Sequence, residues 1–418
     1  MNISFNTLKL ISIVKIASLS FSIFFWDLNI KGFDFRITIF FLVFLTLFNL
    51  SFIRSNKNIN FLFGLLLVIF IAIHLYLNLT FDNQPIFFFS KEIIYILATY
   101  FVIFFNLEFI RENLKEILFF FIFFFIVSTI INFLWIDYNI LVNIYHRGIS
   151  LSCSYIGGWH GYTRFFFSEN SHLAMMSVPV MLYFFLGFTL NKFTLFKKLF
   201  IFIFFLISII NYTLTFLVGI IISILLIFFS NLKYLYQKKI YIKIFPLIFL
   251  CFFFLVLDPE CRSKFYNSSS AISKNNKNLD LSSAVFINSF NIAKITITER
   301  PFGWGLNRYE EAYKKYAINS KTIYKLDEYH PKLFEWNLNI KDASSNFTKL
   351  MTEFGVFSLI IFIYLAYFSF SSKASLQEKL FLNSLIITQF LRGAGYFNGG
   401  FLICILIMLS ISLSRKDV

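Results

Sequence analysis

Apolar residues fall in uninterrupted runs near 8–26, 37–53, 59–79, 93–107, 117–136, 171–190, 199–230, 240–257, 353–370, 380–391 and 399–413. A hydrocarbon core of about 30 Å takes about 20 helical residues to cross, so these runs predict membrane helices. The run at 199–230 is too long for one crossing, since its 32 residues would extend about 48 Å. It predicts two helices turning near Asn211 and Tyr212, which makes twelve crossings in all. The first run has no small-residue cleavage site and reads as a helix rather than a removable leader.

Basic residues fix the orientation. With twelve crossings, the short inner segments hold 16 Lys and Arg, including the cluster Lys233, Lys238, Lys239 and Lys243, against 6 in the short outer segments. A single helix over 199–230 would put that cluster outside, against the bias of Lys and Arg toward the cytoplasm. Two long outer segments follow, 137–170 and 258–345. The second has 88 residues and near charge balance, with 13 Lys and Arg against 10 Asp and Glu. It opens on a polar, Ser- and Asn-rich stretch from Arg262 to Ser283 that predicts mobility. Two helical stripes come next: Phe286, Phe290, Ala293 and Ile297 up to Pro301, then Leu306, Tyr309, Tyr313 and Tyr316. They fit amphipathic helices on the membrane surface and, equally, helices packed on each other.

The predicted fold is thus an all-α polytopic membrane protein of about twelve transmembrane helices. Residues 1–136 hold helices one to five, 137–170 an outer loop, 171–257 helices six to nine, 258–345 the large loop and 346–418 helices ten to twelve. Composition agrees: 58% of the 418 residues are hydrophobic and only 14% charged, which excludes an ordinary soluble domain. The +15 net charge would suggest nucleic acid in a soluble protein; here it reflects Lys and Arg held inside. The 64 Phe carry no functional weight, because codon bias explains them.

Candidate chemistry collects on the outer side. Ten of 15 glycines lie in three clusters there, around 148–161, at Gly303 and Gly305, and over 393–400. Glycine lets backbone approach a ligand closely. Trp159, Trp304 and Trp336 stand in long loops and offer stacking faces for sugars, whereas Trp26 and Trp135 fit the interfacial aromatic belt. Within the apolar runs only Lys15 and His74 are ionisable and well inside, unlike the midplane charges of transporters. Arg147, Arg164, Arg300, Arg308 and Arg392 gather outside, and paired guanidinium groups are the usual clamp for pyrophosphate. The four cysteines form no CxxC motif or Cys/His cluster for a metal, and nothing in their spacing brings Cys153 and Cys261 within disulfide reach.

Three motifs in order carry a resemblance. Gly161-Tyr162-Thr163-Arg164 through Phe167-Ser168-Glu169-Asn170-Ser171-His172 resembles the outer-loop motif before a central helix in O-antigen polymerases and ligases. Glu299-Arg300-Pro301-Phe302-Gly303-Trp304-Gly305-Leu306 resembles the Pro-x-Gly-x-Gly turn of that family's large periplasmic loop. Asp342-Ala343-Ser344-Ser345-Asn346 running to Thr352-Glu353-Phe354-Gly355 resembles the loop-to-helix junction that follows it. The motifs span about 160–360, and the topology, with the large loop between the ninth and tenth helices, covers the whole chain.

The resemblance implies a glycosyltransferase of the bacterial inner membrane, active on its periplasmic side and needing neither metal nor cofactor. Its substrate would be a polyprenyl pyrophosphate-linked oligosaccharide; membrane lipids and a chain-length regulator protein would be partners, and nucleic acid would not. Arginines would stabilise the leaving pyrophosphate, and a base would stand near the acceptor hydroxyl. Arg164 matches the motif arginine, and Asp342, Glu353 and His330 are candidates for the base. Arg147, Arg300, Arg308, Arg392, Trp159, Trp304 and His172 would bind substrate. Arg147 and Gly158 also match an Arg-(ten residues)-Gly spacing of some polymerases. His172 also fits helix capping, and Glu353 the dipole of the tenth helix. Ligases carry a His-Asn pair where this chain has Asp342 to Asn346, and a Ser-Arg pair where it has Thr215-Phe216. Both departures favour a polymerase. A ligase acting on lipid A core or protein, and a non-enzymatic lipid-sugar flippase, remain the alternatives.

Overall fold

The computed structural model describes residues 5–21, 28–30, 33–35, 109–134, 170–189, 194–210, 212–230, 240–270, 281–324, 331–335, 337–340, 343–369 and 375–393. It also describes 71–76 and isolated positions in 43–106 and at 410. In chain order these form α1 (Phe5–Phe21), the hairpin β1 (Leu28–Ile30) and β2 (Phe33–Phe35), α2 (Leu114–Leu134), α3 (Asn170–Thr189), α4 (Leu195–Ile210) and α5 (Leu214–Ser230). Then come α6 (Ile240–Leu257), α7 (Pro259–Ser270), α8 (Leu281–Glu299), α9 (Tyr309–Tyr324), α10 (Pro331–Glu335), α11 (Asn346–Phe354), α12 (Val356–Ser369) and α13 (Leu376–Leu391). The strands pair antiparallel, Leu28 with Phe35 and Ile30 with Phe33. Apart from that hairpin, the regular structure among the described residues is helical, as the apolar runs predict.

Two compact units partition the chain: 1–114, 285–362 and 395–414 in one, and 115–284, 363–394 and 415–418 in the other. In the second, α13 packs on α3 and α5, α3 also meets α4, and α6 lies along α5. Close approach there depends on small and polar residues. A Cβ on Gly219 of α5 would meet Thr388 Cγ2 at 3.0 Å, and Thr388 Oγ1 donates to the Met175 carbonyl at 3.1 Å. Ser375 caps α13 reciprocally with Glu378, the capping box that fixes a helix start.

The first unit has its own core. Tyr309, Tyr313 and Tyr316 of α9 bury their rings against Ile292 of α8, Trp304 and Ala343, with Ile340 and Phe334 at the margin. The stripe on α9 is thus the one its spacing predicts, and it packs on protein. On α8 the buried face differs from the predicted one. Asn288, Ser289, Ile292, Ala293 and Thr296 turn inward, whereas Phe290 is 45% exposed. Of the small polar groups on that face, Ser289 bonds across it to Ser344.

Several expectations are refined. The run at 199–230 breaks after Ile210 and resumes at Leu214. The run at 353–370 is split by Gly355, so α11 and α12 are separate helices. The polar stretch from Arg262 is helical as far as Ser270. Cys261 is disulfide-bonded and fully buried, contrary to the unpaired state expected from spacing; Cys251 is free. Among the described residues, no helix is long and apolar enough to cross a membrane. The runs at 37–53 and 399–413 lie almost wholly outside the described residues.

Candidate functional site

The second and third sequence motifs meet in one structure. After α8 ends, the chain turns through Gly303-Trp304-Gly305 and lies against the end of α11. Trp304 N donates to Thr352 O at 3.0 Å, Gly305 N to Glu353 O at 2.9 Å, and Val356 N to Pro301 O at 2.8 Å. Gly303 and Gly355 face each other's segment at positive φ, +80° and +56°. A Cβ on Gly303 would sit 2.3 Å from Glu353 O, and one on Gly355 would sit 2.0 Å from Pro301 O. These glycines let backbone approach backbone, which corrects the expectation of approach to a ligand.

Glu353 is fully buried at the end of α11, and its carboxylate faces the start of α9. Oε2 accepts from Asn307 N at 2.7 Å and Oε1 from Tyr309 N at 3.2 Å. A helix start presents N–H groups without intrahelical acceptors, and an anion there is favourable on charge as well. Glu353 therefore serves a helix dipole, as one sequence expectation had it, but that of α9 rather than of the tenth helix. A carboxylate so engaged positions the loop and is poorly placed to take a proton from an acceptor.

Arg300 stacks on Trp304 at one side of this junction. The Arg300 guanidinium lies 3.7 Å from the Trp304 ring centroid, and Lys315 reaches the same ring at 5.7 Å. Trp304 meets Tyr316 edge-on at 5.7 Å and is only 7% exposed. With guanidinium on its ring and tyrosine at its edge, it is not the open sugar platform expected. Tyr316 donates to Glu299 Oε2 at 2.8 Å, which ties α9 back to the end of α8. Arg308 is 2% exposed and ion-paired with Glu311 one turn on. Burial pushes the Tyr313 phenol up to about 12, and burial with the Glu299 bond does the same for Tyr316. Burial also raises Tyr309. All three phenols stay protonated at neutral pH, and Tyr313 donates to the Leu333 carbonyl at 3.4 Å.

Arg300, Trp304, Arg308 and Glu353 are thus brought together in the first unit. Arg392 and His172 belong to the second: Arg392 ends α13 with its N–H on Thr388 O at 2.9 Å, and His172 lies in the first turn of α3. Arg147, Trp159, Arg164, His330, Trp336 and Asp342 lie outside the described residues. Sequence reasoning passed over Lys315, gave Glu299 only as the start of a motif and Tyr316 only as part of a stripe, and noted His74 only as an ionisable group in an apolar run. Asn307, at φ +58°, was legible as a turn residue beside the Gly-x-Gly pattern.

The architecture defines a largely helical protein whose second and third motifs close on each other through backbone hydrogen bonds. The chain matches no known family model, no curated protein and no solved structure.

Proposed function

We propose that this chain is an O-antigen-type polymerase of the bacterial inner membrane. It transfers a glycan chain from a polyprenyl pyrophosphate carrier to another lipid-linked repeat on the periplasmic side. In that reaction the bond between the anomeric carbon and the pyrophosphate oxygen breaks, and the acceptor hydroxyl oxygen forms the new glycosidic bond. Polyprenyl pyrophosphate leaves, and the hydroxyl proton passes to a base. The carrying observation is the junction itself: two motifs of the resemblance, 46 residues apart between Asn307 and Glu353, close into one unit bearing the Arg300–Trp304 stack. Stacking holds a guanidinium in one orientation, the preorganisation a developing pyrophosphate charge requires. Arg164 remains the motif arginine for that charge, and the base role passes from Glu353 to Asp342 or His330.

Support for the membrane arrangement comes from six contacts within the two units. On the outer side of the midpoints of the proposed crossings, Leu306 N donates to His74 Nδ1, Tyr212 to Asp258, and Thr388 to the Met175 carbonyl. On the inner side, Lys197 lies 3.9 Å from Glu116, Lys15 sits over Phe109 at 4.4 Å, and Gln377 donates to the Tyr183 carbonyl. Each pair joins positions that twelve crossings put on the same side of the midplane. With a single helix over 199–230, Leu306, Gln377 and Thr388 would each lie opposite their partners.

On α6, Phe245, Phe249, Phe253 and Val256 form an exposed face at helical spacing, a surface that water would not favour. Interior prolines, Pro179 and Pro246, are tolerated in helices of a bilayer. At 16 and 17 residues, α4 and α5 extend about 25 Å, a mismatch that local thinning accommodates. The bond at Cys261 fits an oxidising outer compartment.

The lipid-linked glycan left in a deletion strain tests the function. A single unpolymerised repeat on the outer leaflet is expected. Full-length polymer on the carrier would indicate a ligase, and repeats trapped on the inner leaflet a flippase. Reporters fused at Ser270 and Lys238 should read periplasmic and cytoplasmic; the same side for both would overturn the arrangement.

A further inference from the structure

His74 lies in the helical stretch 71–76, is 4% exposed, and has two contacts with the motif junction. Its Nδ1 stands 3.0 Å from the backbone nitrogen of Leu306, 232 residues away in sequence. Its ring meets Phe354 edge-on, with centroids 5.0 Å apart and planes at 87°. Leu306 closes the Gly303-Trp304-Gly305 turn, and Phe354 precedes Gly355 on the opposing segment. One imidazole therefore touches both halves of the junction.

An amide N–H can donate only to a nitrogen that keeps its lone pair. Nδ1 is then unprotonated and the ring proton sits on Nε2; an imidazolium has no acceptor to offer. We propose that His74 is a positioning residue: a neutral, Nε2-protonated imidazole that fixes the loop 301–308 to the segment 71–76. That loop carries Trp304, whose ring orients Arg300, so the fixation extends to the cationic edge of the site. The role does not depend on glycosyl transfer. It depends on an acceptor at one place, in a side chain of one shape. Leucine would fill the volume and leave a buried N–H unpaired. Asparagine puts Oδ1 where Nδ1 stands, whereas glutamine puts its oxygen one bond further out, toward the Nε2 position.

The full-length chain, labelled with 15N-histidine and held in lipid nanodiscs, provides the first test. Five histidines are present, and the spectrum lost in His74→Asn identifies this one. At neutral pH it should show one protonated nitrogen, Nε2, and one unprotonated nitrogen, Nδ1. A proton on Nδ1, or on both, overturns the assignment. Hydrogen exchange at the Leu306 amide provides the second test. It should quicken about tenfold in His74→Leu and His74→Gln and stay near wild type in His74→Asn, as loss and retention of one buried hydrogen bond require. Equal exchange in all three variants would overturn the role, whatever their folding yield. If the exchange pattern holds while the wild-type chain makes no polymer, the positioning role stands and the glycosyltransferase proposal fails.

Discussion

Replacing Gly355 with alanine strikes the contact that joins the two motifs. Its backbone, at φ 56° and ψ −131°, occupies a region essentially reserved for glycine, where a side chain costs about 1–3 kcal/mol. The added Cβ would lie 2.0 Å from Pro301 O and 2.7 Å from Gly303 N, and both are backbone atoms with no rotamer to swing away. Restoring ordinary contact, about 3.4 Å, needs a shift of about 1.4 Å between the segments. That shift breaks Val356 N to Pro301 O, Trp304 N to Thr352 O and Gly305 N to Glu353 O. At about 1 kcal/mol each, with the backbone strain, the expected loss is about 4–6 kcal/mol, near the whole stability of a marginal domain. Thermal unfolding of detergent-purified protein, followed by retention of the monodisperse peak, reads this directly. The matched control is Gly219→Ala in the second unit, where the new Cβ meets side-chain methyls, Thr388 Cγ2 at 3.0 Å and Val178 Cγ1 at 3.7 Å, rather than backbone. Gly355→Ala should unfold far below both wild type and the control. A melting curve equal to the control's would mean that 301–303 and 353–356 do not touch in the molecule.

Other outcomes follow from the same geometry. Glu353→Gln keeps an acceptor at the start of α9 and should hold activity within about tenfold of wild type, while Glu353→Ala should lose about 2–3 kcal/mol of stability; abolished activity in a stably folded Glu353→Gln protein would make this carboxylate the base after all. Tyr212→Phe removes a buried donor, 2.7 Å from Asp258 Oδ2, and should lower stability by about 1.5–3 kcal/mol, read as a lower melting temperature; an unchanged curve would refute that pairing. Peptide mapping without reductant should find Cys261 in a linked peptide and Cys251 unlinked, and Cys261→Ser should lose about 2–4 kcal/mol. Arg164→Lys keeps charge but not the planar fork, so polymer formation should fall about a hundredfold at matched protein level, while Lys332→Ala stays silent; wild-type polymer from Arg164→Lys would pass the pyrophosphate role to Arg300.

What the sequence made legible was what depends on local arithmetic. The break between Ile210 and Leu214 follows from the length of an apolar run against a helical rise of about 1.5 Å per residue. The inward stripe of Tyr309, Tyr313 and Tyr316 follows from helical spacing. The same rule failed on α8, because hydropathy turns Asn288, Ser289 and Thr296 outward, whereas all three are buried and Ser289 bonds to Ser344. At the site, Gly303 and Gly355 were visible as residues suited to positive φ, but the backbone each one faces is set by the tertiary fold. Glu353 could be read as a base or a helix-dipole partner until its contacts with Asn307 and Tyr309 were known. His74 stood out only as a polar group in an apolar run, and its partner lies 232 residues away. The Cys261 bond was invisible for the same reason: spacing along the chain says nothing of separation in space.

The central claim is tested most directly with the purified full-length chain in sealed lipid vesicles. The vesicles carry polyprenyl pyrophosphate-linked oligosaccharide repeats as the sole glycan, with no metal added and a chelator present. Products are resolved by length, and released polyprenyl pyrophosphate is counted. The proposed reaction predicts a ladder of multiples of the repeat, still attached to the carrier, with one polyprenyl pyrophosphate released for each repeat joined. Repeats that stay at unit length, in vesicles where the protein is folded and correctly oriented, would contradict it.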